Sequence, residues 1–115
     1  MRLPIAVHVE ALDELEEAAI WYEARRSGLG FEFAAEIERV LASISELPQA
    51  FPRWNVEDPV RRALARRFPY AVFFDVEPTR AVILAVAHVS RRPGYWGGRR
   101  SPPPGRPDAR GAGAP

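Results

Sequence analysis

The hydrophobic repeat changes period along this chain, and that change restricts the class of fold open to it. Between residues 10 and 47 apolar side chains recur at steps of three and four; between residues 60 and 89 they alternate or run on continuously. The first rhythm belongs to amphipathic helices and the second to strands. Leu12, Leu15, Ala19 and Tyr22 form one stripe, with Glu10, Asp13, Glu14 and Glu17 on the other side, which predicts a helix from Glu10 to Arg26. Acidic residues crowd its start and Arg25-Arg26 its end, as the helix dipole favours. Ser27-Gly28 stops it, because glycine enters the left-handed cap conformation without a Cβ penalty. Phe33, Ile37, Val40, Leu41, Ile44 and Leu47 predict a second helix from Gly30 to Leu47, ended by Pro48, which has no amide hydrogen to donate. So short a connection makes the pair an antiparallel hairpin.

Ile5, Val7 and Val9 alternate with Ala6 and His8, which predicts a short strand ahead of the hairpin. Gln49 to Pro59 reads as an irregular linker. Three strands follow, over 60–66, 70–77 and 81–89, with a turn at Glu77-Pro78-Thr79-Arg80. The last is apolar on both faces and so belongs inside a sheet. The order β-α-α-β-β-β predicts an α+β domain, in which an N-terminal strand and an antiparallel helical hairpin join a mainly antiparallel four-stranded sheet. Residues 1–100 form that domain, large enough for one modest core. Residues 101–115, dominated by Pro, Gly and Arg, read as a disordered tail unable to bury enough apolar area to offset ordering.

Several chemistries are set aside by residue type. The chain has no cysteine, so disulfides, thiolate sites and Cys nucleophiles are excluded. Only His8 and His88 offer imidazole, and neither a metal nor another cofactor is expected. No apolar run approaches the roughly 18–20 residues needed to span a bilayer. The start lacks the apolar core of a secretory signal, so the cytoplasm is the expected location, with no membrane partner. The formal charge of +1 conceals an asymmetry: residues 1–50 hold four Arg and ten acids, residues 51–115 twelve Arg and five acids, and −6 plus +7 gives +1. A basic second half suits an anionic partner, either nucleic acid or an acidic protein.

The candidate binding residues are Arg61, Arg62, Arg66, Arg67, Arg91 and Arg92, joined by His88 and Tyr95. Alternation sends Arg62, Leu64 and Arg66 to one face and Arg61, Ala63 and Ala65 to the other. Guanidinium groups on a sheet face hold phosphates bidentately, or else charge an edge strand against aggregation. By parity His88 joins Val82, Leu84 and Val86. It is either a proton donor or phosphate contact, or a half-buried group tied to the backbone. Tyr95 and Trp96 follow a Pro93-Gly94 turn and either stack on bases or fold back on the core, the latter preferred for Trp96. Trp21, Tyr22, Phe31 and Phe33 read as core or hairpin packing. Glu10, Glu14 and Glu17 read as a solvated stripe with no catalytic pairing.

Trp21-Tyr22-Glu23, Gly28-Leu29-Gly30 before Phe33, Arg67-Phe68-Pro69-Tyr70, and His88 with Arg91 occur in this order, and together they resemble the toxins of the RelE/ParE superfamily of type II toxin–antitoxin systems. The resemblance runs to about Trp96. It implies the strand–hairpin–strands plan and a cognate antitoxin, with operator DNA contacted only through that antitoxin. RelE-like members cut messenger RNA on the ribosome with sheet arginines and a C-terminal Arg and Tyr; Arg62, Arg91 and Tyr95, with His88, would fill those roles here. The central arginine of that pattern is replaced by Ala71, after Tyr70. ParE-like members inhibit DNA gyrase by binding alone, and the His88…Arg91 ending with Ala71 resembles this branch more closely. A non-catalytic RNA-binding module, clamping single strands with Tyr95 and the arginines, is the reading outside the toxin class.

Overall fold

The computed structural model describes residues 2–100, and the tail expected at 101–115 lies outside the described residues. In chain order the elements are β1 (Ile5–Val7), α1 (Val9–Arg25), α2 (Leu29–Glu46), a tight helical turn (Pro48–Ala50), β2 (Arg53–Asn55), β3 (Asp58–Leu64), β4 (Tyr70–Val76), β5 (Ala81–His88) and a final tight turn (Tyr95–Arg99). His8 opens α1: its Nδ1 accepts the Glu10 N–H at 3.1 Å, which satisfies one of the donors a helix start leaves free.

Gly28 takes φ 89°, the left-handed conformation foreseen for the break between the helices. Glu23 reaches across that break and accepts the Gly28 N–H at 2.9 Å and the Gly30 N–H at 3.0 Å, capping α2 from the preceding helix. Gly30 is buried, and a Cβ there would collide with the Ala19 carbonyl oxygen. Glu23 and Gly30 therefore give two of the short motifs a mechanical meaning, since they let the helices approach closely and join through residues 26–28 alone.

The α+β plan stands, with one strand more than expected. The sheet order is β1-β5-β4-β3-β2, with β1 parallel to β5 and the remaining pairs antiparallel. The extra strand, β2, lies inside what reads as linker. Arg53 pairs with Arg61, and the Pro52 carbonyl accepts the Arg62 N–H at 3.0 Å. Flanking prolines and only three residues of pairing left no alternation to detect. β5 is an inner strand, as its apolar faces required.

The register of β5 contains a bulge. Phe73 pairs with Ala85 but Phe74 with Ile83, leaving Leu84 unmatched. The extra residue reverses the parity beyond it, so His88 follows Ile83 and Val86 rather than Val82 and Leu84. Both faces of the sheet carry core. On one, the hairpin's Phe33, Ile37, Val40 and Ile44 meet Ala63, Val72, Phe74, Ile83 and Val86. On the other, Val60, Ala71, Phe73, Leu84 and Ala87 lie under Trp96, which is 1% exposed and packs on Phe73 and Trp54. Trp96 is thus a lid, as its sequence context favoured. Trp21 and Phe31, expected in the core or hairpin packing, are exposed, as is Leu12 at the start of the α1 stripe.

Candidate functional site

β1 covers only the first three residues of β5, from Ala81 to Ile83. Past the bulge the outer edge of β5 runs on alone beside α1, and its peptide groups need other partners. Glu14 Oε1 accepts the Val86 N–H at 2.9 Å, and Arg99 donates to the Leu84 carbonyl at 2.9 Å. Glu14 Oε2 also accepts the Tyr95 hydroxyl at 2.8 Å and Arg99 Nη2 at 3.0 Å, while Glu10 takes Arg99 Nε at 3.1 Å. The Glu14 side chain is only 14% exposed. It is no part of a solvated stripe but the point where helix, strand edge and C-terminal turn are tied together. Its partners lie 72 to 85 positions away in sequence, so no local spacing signals the role.

Burial first, and then the hydrogen bond to Glu14, push the Tyr95 phenol well above its ordinary pKa. Tyr95 in turn carries Arg91, whose guanidinium stacks 3.5 Å from the ring centroid. Arg91 Nη1 stands 3.6 Å from Glu14, longer than a hydrogen bond. Beside this assembly opens a groove of about 520 Å³ between α1 and the β5 edge. Glu14, Glu17, Ala18, Trp21 and Tyr22 line one wall, and Pro69, Tyr70, Val86, Ala87, His88 and Arg91 the other. Burial raises the Tyr22 and Tyr70 phenols, and for Tyr70 the neighbouring Tyr22 adds to the effect.

His88 is exposed, its ring edge-on to Tyr70 at 5.4 Å. Its Nδ1 accepts the Ser90 N–H at 3.1 Å, so the neutral ring carries its proton on Nε2. The backbone tie is to an amide, not to a carbonyl.

The candidate arginines occupy different settings. Arg61 points to the helix side and staples a loop, donating to the Phe51 carbonyl at 2.6 Å and to Gln49 at 2.8 Å. Arg62 projects from the opposite face beside Phe73, exposed, with no side-chain partner among the described residues. The Arg66 backbone N–H is held by Glu36, a carboxylate whose pKa is lowered chiefly by its hydrogen bond with Arg39. Arg67 adopts φ 72° in the β3–β4 loop and pairs with Glu32 at 2.8 Å. That pairing is the main cause lowering the Glu32 pKa. Arg92 is exposed. Arg99 and Arg100 went unmarked in the sequence, yet Arg100 bridges Asp58 and Asp75 across β3 and β4. Much of the basic half therefore folds onto the protein's own carboxylates. Ala71 sits 2% exposed between Leu64 and Ala87.

Among the described residues no group of three or more His, Cys, Asp or Glu side chains could hold a metal ion. No described helix is long and apolar enough to cross a membrane. No family model matches the sequence, and no curated protein matches it either. Among solved structures, a chain of the chromosomal ParDE TA system from P. aeruginosa superposes with a TM-score of 0.68 at 15% identity, over 76% of this chain and 96% of that one. The backbone arrangement read from the motif order is therefore shared with a component of a ParDE system, and at this identity the likeness is one of fold.

Proposed function

We propose that this chain is the toxin of a bacterial type II toxin–antitoxin pair, neutralised by a cognate antitoxin and working in the cytoplasm. The observation that carries the reading is the fold shared with a chain of a ParDE system, together with the motif order along the sequence. Within that class we favour a binding-type inhibitor, with DNA gyrase as its target, over an mRNA endoribonuclease. Three features support the choice. Position 71 offers a buried methyl group where the nuclease pattern places a cation. The Tyr95 proton is committed to Glu14 and its pKa is raised, so the phenol is poorly suited to proton transfer near neutral pH. His88 has one ring nitrogen engaged by Ser90. Arg62, Arg66 and Arg92, which form no ion pair among the described residues, are the cations best placed to meet a target. Operator DNA would be read by the antitoxin.

Controlled expression with and without the adjacent gene tests this. Growth arrest relieved by the partner is expected, with supercoiling by purified gyrase inhibited and cellular transcripts uncut. Absence of arrest would remove the toxin reading. Arrest with transcripts cut on ribosomes would put the nuclease in its place.

A further inference from the structure

The helical hairpin has two sides, and the one turned away from the sheet carries large apolar groups into water. In α1, Val9, Asp13, Glu16 and Ile20 each stand two residues from the buried Ala11 or Ala18. In α2, Phe31, Ala35, Glu38 and Ala42 each stand two from the buried Phe33, Ile37, Val40 or Ile44. Two residues turn an α-helix by about 200°, so these positions point away from the core. Val9 is 64% exposed, Ile20 70% and Phe31 78%, with the exposed Leu12 three positions from Val9. A single exposed apolar residue is ordinary, but several gathered on one surface mark an interface.

Residue sizes give this surface its shape. Along α1, Val9, Leu12, Glu16 and Ile20 recur at steps of three and four and form a ridge. Beside it the outward positions Ala35 and Ala42 of α2 carry only methyl groups, so that flank is low, and Phe31 closes it at the hairpin's tip. A ridge beside a low flank accepts a helix, and among the described residues no sheet edge lies on this side for a strand to join. Charge narrows the choice further. Asp13, Glu16 and Glu38 are exposed and form no ion pair among the described residues, whereas the neighbouring Arg26 and Arg39 are held by Glu32 and Glu36. Nucleic acid and an anionic membrane would meet these carboxylates with like charge. A second copy docked about a two-fold axis would set the same carboxylates against one another.

We propose that the outer face of the hairpin is a docking surface for a basic amphipathic helix of another protein. The apolar stripe of that helix lies over Ala35 and Ala42, between the α1 ridge and Phe31. Lysines or arginines flanking the stripe meet Asp13, Glu16 and Glu38. The surface is separate from the groove between α1 and the β5 edge and from the sheet face that carries Arg62. The inference stands whether or not the chain is a toxin.

The test is selection, on the full-length chain, from a display library of alanine-rich helices of about 18 residues, long enough to hold helical structure, with the stripe and its flanks randomised. Enriched helices should carry large apolar residues at helical spacing with Lys or Arg beside them. Ile20→Ala and Phe31→Ala should each weaken their binding by about tenfold, and Glu16→Lys combined with Glu38→Lys by about tenfold or more. Replacing the flanking cations of an enriched helix by Glu should recover binding to that charge-reversed protein. Val56→Ala, at an exposed apolar residue between β2 and β3, should leave binding unchanged. The substituted side chains are exposed, so the variants should keep the wild-type near-ultraviolet dichroism; one that loses it is replaced by Ile20→Gln or Phe31→Gln. The proposal is overturned if no helix is enriched, if enriched helices lack flanking cations, or if both apolar variants bind as wild type does. It is also overturned if the chain sediments as a dimer that Phe31→Ala dissociates, which would give this face to a second copy.

Discussion

Glu14 gathers a strand amide, a phenol and a guanidinium onto one carboxylate, and Tyr95 is the partner whose protonation state follows from that arrangement. In the folded chain the phenol is raised by burial and by its bond to Glu14, whereas unfolding returns it to about 10. The sign follows: Tyr95 contributes stability that is full below the unfolded value and is lost as pH climbs toward the folded one. Tyr95→Phe keeps the ring under Arg91 but removes that titration. Urea midpoints compared at about pH 8 and about pH 11 should fall less in the variant than in wild type. A residual decline is expected from Tyr22 and Tyr70, whose phenols are also raised by burial. Equal declines in the two proteins would mean that neither burial nor Glu14 raises the Tyr95 phenol in the folded chain.

The helical hairpin depends on how closely its two helices approach, and Gly30 sets that distance. By propensity alone Gly30→Ala would gain about 1 kcal/mol. The added methyl group, however, meets the Ala19 carbonyl, a backbone atom that cannot swing aside. Overpacking of this kind costs ~1–3 kcal/mol, so the clash wins and the urea midpoint should drop. Gly97→Ala, where the added carbon meets open space, is the control and should change little. A Gly30→Ala protein as stable as wild type would show that the hairpin packs more loosely than drawn. The hairpin and four of the five strands were legible in sequence: the helices, β3, β4 and β5 carry enough turns or alternations to average over exceptions, and the short β1 was marked by the alternation of Ile5 and Val7 with Ala6. β2 has three residues and none to spare. His88 was misassigned to a face because one bulge residue, Leu84, reverses every side chain after it, and nothing in an unbroken apolar run marks a bulge. Glu14 was misread for a different reason: on the helix it looks like Glu10 and Glu17, and only the distant β5 edge and C-terminal turn together distinguish it. Arg91 and Tyr95 were visible as candidates, but what holds them was not.

Across the whole molecule the acidic first half and the basic second half fold onto one another, through Glu10 and Glu14 with Arg99, Glu32 with Arg67, and Glu14 beside Arg91. Part of the asymmetry that suggested an anion-seeking surface is therefore met within the chain itself. Two of the exposed arginines lie on different sides, Arg91 in the lining of the α1 groove and Arg62 on the opposite sheet face, beside Phe73. This division predicts separable functions. Arg62→Ala removes an exposed group with no side-chain partner, so its stability should stay within about 0.5 kcal/mol of wild type. If that face meets the target, losing a central interface arginine costs roughly 2 kcal/mol of binding, and arrest on expression should weaken while neutralisation by the partner survives. Trp96→Ala is the necessary contrast. It empties a fully buried indole site at a cost of ~3–5 kcal/mol, so its loss of arrest would report unfolding rather than contact. Growth curves read beside urea midpoints for both variants distinguish the cases. A stable Arg62→Ala protein that arrests growth as strongly as wild type would take the target contact off this face and leave the α1 side to supply it.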